Sequence, residues 1–124
     1  MNPSRPKHLA LWQIRLPLPG VISILHRVSG AAMFVVIPLL LYALEGSLSS
    51  AERYGEFRTV IAHPLVKLIL LGVLWAFLHH ACAGVRYLLM DVHQGVELPA
   101  ARRSAKLVLV VSLTLTVLIG ALTW

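Results

Sequence analysis

Three apolar stretches, at roughly residues 22–45, 64–90 and 105–124, decide most of what this chain can become. Each is long enough to cross a hydrocarbon layer, which takes about 20 predominantly apolar residues. Lipid offers no hydrogen bonds, so a spanning backbone must satisfy its own N–H and C=O groups, and a helix does so within one segment. The expected fold class is therefore all-α: an integral membrane protein with three transmembrane helices. A chain of 124 residues that is 58% hydrophobic and only 13% charged leaves room for a single membrane domain, residues 1–124.

The formal net charge of +6 does not signal nucleic acid. The eleven Lys and Arg residues form no run longer than Arg102–Arg103, and their spread fits topology in membrane lipid instead. Arg5, Lys7, Arg15 and Arg27 precede or open the first span, and Arg86, Arg102, Arg103 and Lys106 surround the connection between the second and third. Only Arg53, Arg58 and Lys67 lie near the first connection, beside Glu45, Glu52 and Glu56. The positive-inside rule then places the N-terminus and second connection in the cytoplasm of a multi-pass protein, with Trp124 on the far side. The first apolar run is read as a span rather than a cleaved leader, because it is long and no A-x-A-like site follows it.

Residues 1–20 contain Pro3, Pro6, Pro17 and Pro19 and read as an irregular cytoplasmic arm, with Trp12 at headgroup level. Pro38 interrupts the hydrogen bonding of the first span and is expected to kink it. Residues 46–63 read as a polar outer connection with a helical turn around Glu52–Arg58, after which Pro64 suits the first position of a helix. The second span ends near Asp91, and an inner connection passes through Pro99 into the third. Ser112, Thr114, Thr116 and Thr123 on that third span have the pattern of hydroxyls bonded to their own helix or a neighbour. Cys82, the single cysteine, excludes an internal disulfide and reads as a small apolar filler.

Two polar faces interrupt the apolar spans. Ser23, His26, Arg27 and Gly30 fall at i, i+3, i+4 and i+7 on the first; His80, Gly84, Tyr87 and Asp91 fall at intervals of four, three and four on the second. Ionisable groups inside a bilayer cost a few kcal/mol each, so they mark a site facing protein, cofactor or water. Arg27 is permanently charged and either snorkels to the headgroups or meets an anion.

His80 lies six residues before Arg86, roughly 9 Å deeper along the helix. A membrane histidine alone reads as a hydrogen-bonded packing residue. Joined to Gly84, which removes a side chain that would block a flat macrocycle, and to cations nearer the surface, it reads as an axial ligand of haem. His79, about 100° around the helix, is the local rival. The other histidines suit a second axial ligand poorly: His26 is expected near the cytoplasmic edge, His63 lies beyond the other face, and His8 and His93 lie in polar segments. The opposing ligand is therefore expected from another polypeptide. Ser23, Arg27 and Asp91 cluster near the same edge, where a quinone headgroup would need polar donors; Asp91 reads equally as an interfacial helix terminus or a salt-bridge partner of Arg27.

Arg5–Pro6, the segment SILHRVSG at Ser23–Gly30, the HxxxGxRxxxxD pattern at His80–Asp91 and RSAK at Arg103–Lys106 give the chain a resemblance to the cytochrome b subunits of succinate dehydrogenase, the larger membrane anchors of respiratory complex II. The resemblance covers nearly the whole chain. It implies an anchor in the bacterial inner membrane, not an enzyme by itself, holding an iron–sulfur subunit and a flavoprotein subunit and sharing haem b with a second small membrane anchor. It further implies His80 as the haem iron ligand, His26 and Arg27 beside the propionates, Ser23 and Arg27 at the ubiquinone site, and Asp91 near that pocket. Relatives often carry His where this chain has Tyr87, although a phenol also donates a hydrogen bond. The rival readings are the anchor of a fumarate reductase working with menaquinone and a haem-free structural or transport subunit.

Overall fold

A computed structural model of the chain describes residues 15–124. The expectations placed on Arg5–Pro6, His8, Trp12 and the other residues before Arg15 lie outside the described residues. The described residues form four helices, α1 (Leu18–Ser49), α2 (Ala51–Ala62), α3 (Pro64–Asp91) and α4 (Leu98–Thr123), with short connections between them. α1, α3 and α4 are each long and apolar enough to cross a membrane, as the three stretches anticipate.

The helices overrun the apolar windows. α1 starts at Leu18 rather than at 22, because Pro17 caps it in an extended conformation and Pro19 occupies its first turn, where a missing N–H costs nothing. Its 32 residues make about 48 Å, well beyond the ~30 Å hydrocarbon layer. α1 also continues through Pro38. α4 begins at Leu98, seven residues before the expected boundary, with Pro99 in its first turn. Its opening turns carry Arg102, Arg103 and Lys106, so hydropathy marks only the part that enters lipid.

The connection expected to be polar, with one turn of helix, is instead the twelve-residue helix α2. Ser50 caps it, its hydroxyl oxygen accepting a hydrogen bond from the Arg53 amide at 3.2 Å, and Glu52 in the first turn complements the helix dipole. A strong cap overrides a weak apolar pattern here.

α3 packs against both α1 and α4, and α2 lies across one end of α1 and α3. The interior is built from small or slim side chains, with Ile22, Ala83, Ala105 and Val108 buried together, which lets backbones approach closely where lipid supplies no hydrophobic drive. Large apolar side chains point outward instead: Phe34 and Leu122 are 81% and 87% exposed. α3 ends in a Schellman turn, in which the Gln94 amide donates to the Leu89 carbonyl and the His93 amide to the Met90 carbonyl, both at 2.9 Å. His93 occupies the left-handed position of that turn with φ 63°.

A histidine-centred candidate site between the first and third helices

α1 and α3 run antiparallel in a register that sets Gly30 against His80 and Gly84 against His26. His80 Nδ1 lies 3.0 Å from the backbone carbonyl oxygen of His26 and 3.3 Å from the Ser29 hydroxyl oxygen. A carbonyl oxygen can only accept, so the proton of a neutral His80 resides on Nδ1, and the lone pair is left on Nε2. Among the described residues no hydrogen bond engages Nε2. This is the arrangement of a metal-binding imidazole, whose second nitrogen is anchored to a fixed acceptor.

His80 closes one end of an apolar groove of about 520 Å³ between the same two helices, lined by Met33, Ile37 and Leu40 from α1 and by Leu74, Phe77 and Ala81 from α3. That volume lies within the range of cofactor and ligand sites. His79, the sequence rival, is fully buried, with neither ring nitrogen hydrogen-bonded among the described residues, and its ring lies 5.3 Å from that of Trp75. An imidazole enclosed by its own chain has no face to offer a shared cofactor. The geometry favours His80.

His26 departs from expectation. Its ring is not confined to the edge but reaches His80, stacking at 4.1 Å between centroids and 13° between planes. Side chains tilt toward the N-terminus of their own helix, so antiparallel partners about one turn apart can meet in this way. Stacked rings offer each other π faces rather than lone pairs. The reason for setting His26 aside as an opposing ligand is therefore ring orientation, not depth.

Gly84 and Gly30 face the two histidines differently. A Cβ there would meet His26 Nε2 at 3.8 Å, an ordinary contact, whereas a Cβ at Gly30 would come within 2.9 Å of His80 Cε1. Gly30 is the glycine that His80 requires. Arg86, expected among the surface cations, is buried against α4, where its Nε donates to the Ser104 hydroxyl at 2.9 Å and Nη2 to the Ala101 carbonyl at 3.4 Å. It clamps two helices together.

Arg27 is exposed on α1, and its Nη2 donates to the Ser23 hydroxyl oxygen at 3.3 Å. Tyr87 packs beside His26 with 5.1 Å between centroids, and its buried hydroxyl has no partner among the described residues. Asp91 is exposed at the end of α3 and forms no ion pair among the described residues, so the salt-bridge reading with Arg27 has no support. Sequence reading missed Ser29 altogether. Its signal was a polar residue one turn after His26, on a helix with no polar need there.

The fold and site together define a multi-pass helical membrane protein with an apolar groove between two of its spans, closed at one end by a histidine. The model of the succinate dehydrogenase/fumarate reductase transmembrane subunit family matches residues 1–119, and the chain belongs to that family. It is 37% identical to the succinate dehydrogenase cytochrome b556 subunit of Coxiella burnetii, with 100% of each chain covered. It is 32% identical to the subunit of the same name from Paracoccus denitrificans, over 93% of this chain and 88% of the relative, and 31% identical to that of Rickettsia felis, over 95% and 90%.

Proposed function

We propose that this chain is a membrane anchor of succinate dehydrogenase that holds haem b through His80 and forms part of the site where ubiquinone is reduced. The observation that carries the reading is the His80 ring: Nδ1 is tied to the His26 carbonyl, Nε2 is unbonded among the described residues, and an apolar groove adjoins it. The relatives' names, cytochrome b556 subunits, support the same cofactor.

Haem b, when bound, supplies one-electron transfer between carriers. The chain's own residues do the rest. His80 would ligate the iron from this side, and a second small anchor subunit would supply the opposite ligand, because no described histidine faces His80 Nε2. His26 and Arg27 are the groups suited to propionates, and the Tyr87 phenol, unpartnered among the described residues, stands beside His26 as a further donor.

At the quinone site, Ser23 accepts a hydrogen bond from Arg27, which leaves its own O–H free to donate to a carbonyl oxygen. Arg27 places a fixed positive charge where reduction makes that oxygen negative. Asp91, four residues nearer the helix end than Tyr87, is exposed and suited to pass protons inward from water. Such a subunit is not an enzyme alone; a flavoprotein subunit and an iron–sulfur subunit would deliver electrons from succinate.

Of the nine basic residues among those described, six lie toward the end where α1 starts and α3 finishes, Arg53, Arg58 and Lys67 being the other three. That asymmetry supports a bacterial inner-membrane orientation with the N-terminus in the cytoplasm. The deciding experiment is purification of the chain with its native partners, followed by a reduced-minus-oxidised spectrum and identification of the bound subunits. A low-spin b-type spectrum with one flavinylated and one iron–sulfur partner is expected; a colourless assembly would remove the proposal.

A further inference from the structure

We propose that Ser29 is a positioning residue for the iron ligand, fixing the orientation and electron-donating strength of His80 from the neighbouring helix; this rests on the haem reading above. Ser29 is a polar residue only 6% exposed. Its hydroxyl donates to the His26 carbonyl at 3.0 Å, so its proton is engaged and its oxygen lone pairs remain for His80 Nδ1, 3.3 Å away. The Nδ1–H of His80 is therefore shared between two acceptors, the His26 carbonyl and the Ser29 hydroxyl oxygen. Both belong to one turn of α1.

A neutral serine in a membrane helix usually satisfies its hydroxyl on its own backbone, and Ser47 and Ser49 do so on the exposed side of α1. Ser29 makes that bond and also faces a ring from another helix. Acceptors on the distal nitrogen of an axial imidazole raise its basicity and hold the ring at one rotation. A more basic ligand favours ferric over ferrous iron, so loss of the Ser29 oxygen should raise the haem potential.

The test compares Ser29→Thr with Ser29→Val in the assembled complex, because the two side chains have nearly the same shape and differ by the hydroxyl. Ser29→Ala serves as a third variant that adds no volume. The readouts are haem content, the midpoint potential from a redox titration and the low-spin ferric EPR signal. Ser29→Val and Ser29→Ala are expected to retain haem with a positive shift of the midpoint and an altered EPR signal, while Ser29→Thr stays close to the parent protein. Equal potentials across all variants, or equal shifts in Ser29→Thr and Ser29→Val, would overturn the role of the hydroxyl. A parent complex without haem would instead overturn the reading on which it rests.

Discussion

His26 and His80 stack their imidazole rings face to face across two helices, 4.1 Å apart, while the backbone carbonyl of the first accepts a hydrogen bond from the ring of the second. One residue of α1 thus holds His80 twice. An imidazole held in this way loses little further freedom when its remaining nitrogen binds a metal, which is what preorganisation means in a ligand site.

The first prediction separates the adjacent histidines. His80→Leu should abolish or strongly alter the b-type spectrum of the purified complex. His79→Leu should leave it in place, because its two ring nitrogens have no partner to lose among the described residues, and an apolar side chain of similar size suits a fully enclosed position. Spectra of the two variants, normalised to the amount of assembled complex, decide the matter. An unchanged spectrum in His80→Leu would exclude that ligand.

The second concerns the two glycines facing the stacked pair. Gly30→Ala would drive a methyl to 2.9 Å from a ring that is hydrogen-bonded in place, so the ring or the helix must shift. Overpacking of this kind costs about 1–3 kcal/mol, and haem retention should fall with it. Gly84→Ala would place its methyl 3.8 Å from His26, where there is room. Haem content after purification should therefore drop in the first variant and hold in the second.

The spans, their number and the two polar faces were legible in the sequence because each is a periodic or cumulative property of a helix. Cross-helix facts were not. Spacing on α3 brings Gly84 to the face of His80, yet only the antiparallel register reveals that Gly30 is the glycine lying against that ring. Arg86 reads as one more basic residue near an edge until α4 is known to start at Leu98 and bring Ser104 alongside it. The role of Ser29 was hidden for the same reason: it comes from a residue 51 positions away.

The third prediction addresses the polar pair at the end of α1. Ser23→Ala removes a hydroxyl that Arg27 currently orients, and Arg27→Leu removes the charge itself. Both should lower succinate:ubiquinone reductase activity, Arg27→Leu by the larger factor, since losing a donor to a developing oxyanion typically costs 10²–10³-fold. Succinate oxidation with an artificial acceptor should persist. Parallel loss of both activities would point to a failure of assembly and count against a quinone role.

The last concerns the clamp between α3 and α4. Arg86 is 5% exposed, and its Nε donates to Ser104, whose hydroxyl in turn donates to the Ala101 carbonyl at 3.2 Å. A hydrogen bond to a charged group contributes about 1.5–3 kcal/mol, and stranding one partner costs more than removing both. Ser104→Ala leaves a buried cationic N–H without its acceptor and should lower the thermal midpoint of the detergent-solubilised complex. Arg86→Leu combined with Ser104→Ala removes donor and acceptor together, so the double variant should be less destabilised than the sum of the two single changes. Thermal midpoints of the four proteins form a double-mutant cycle. Strict additivity in that cycle would mean that the two side chains contribute independently, with no coupling through the bond between Arg86 Nε and the Ser104 hydroxyl.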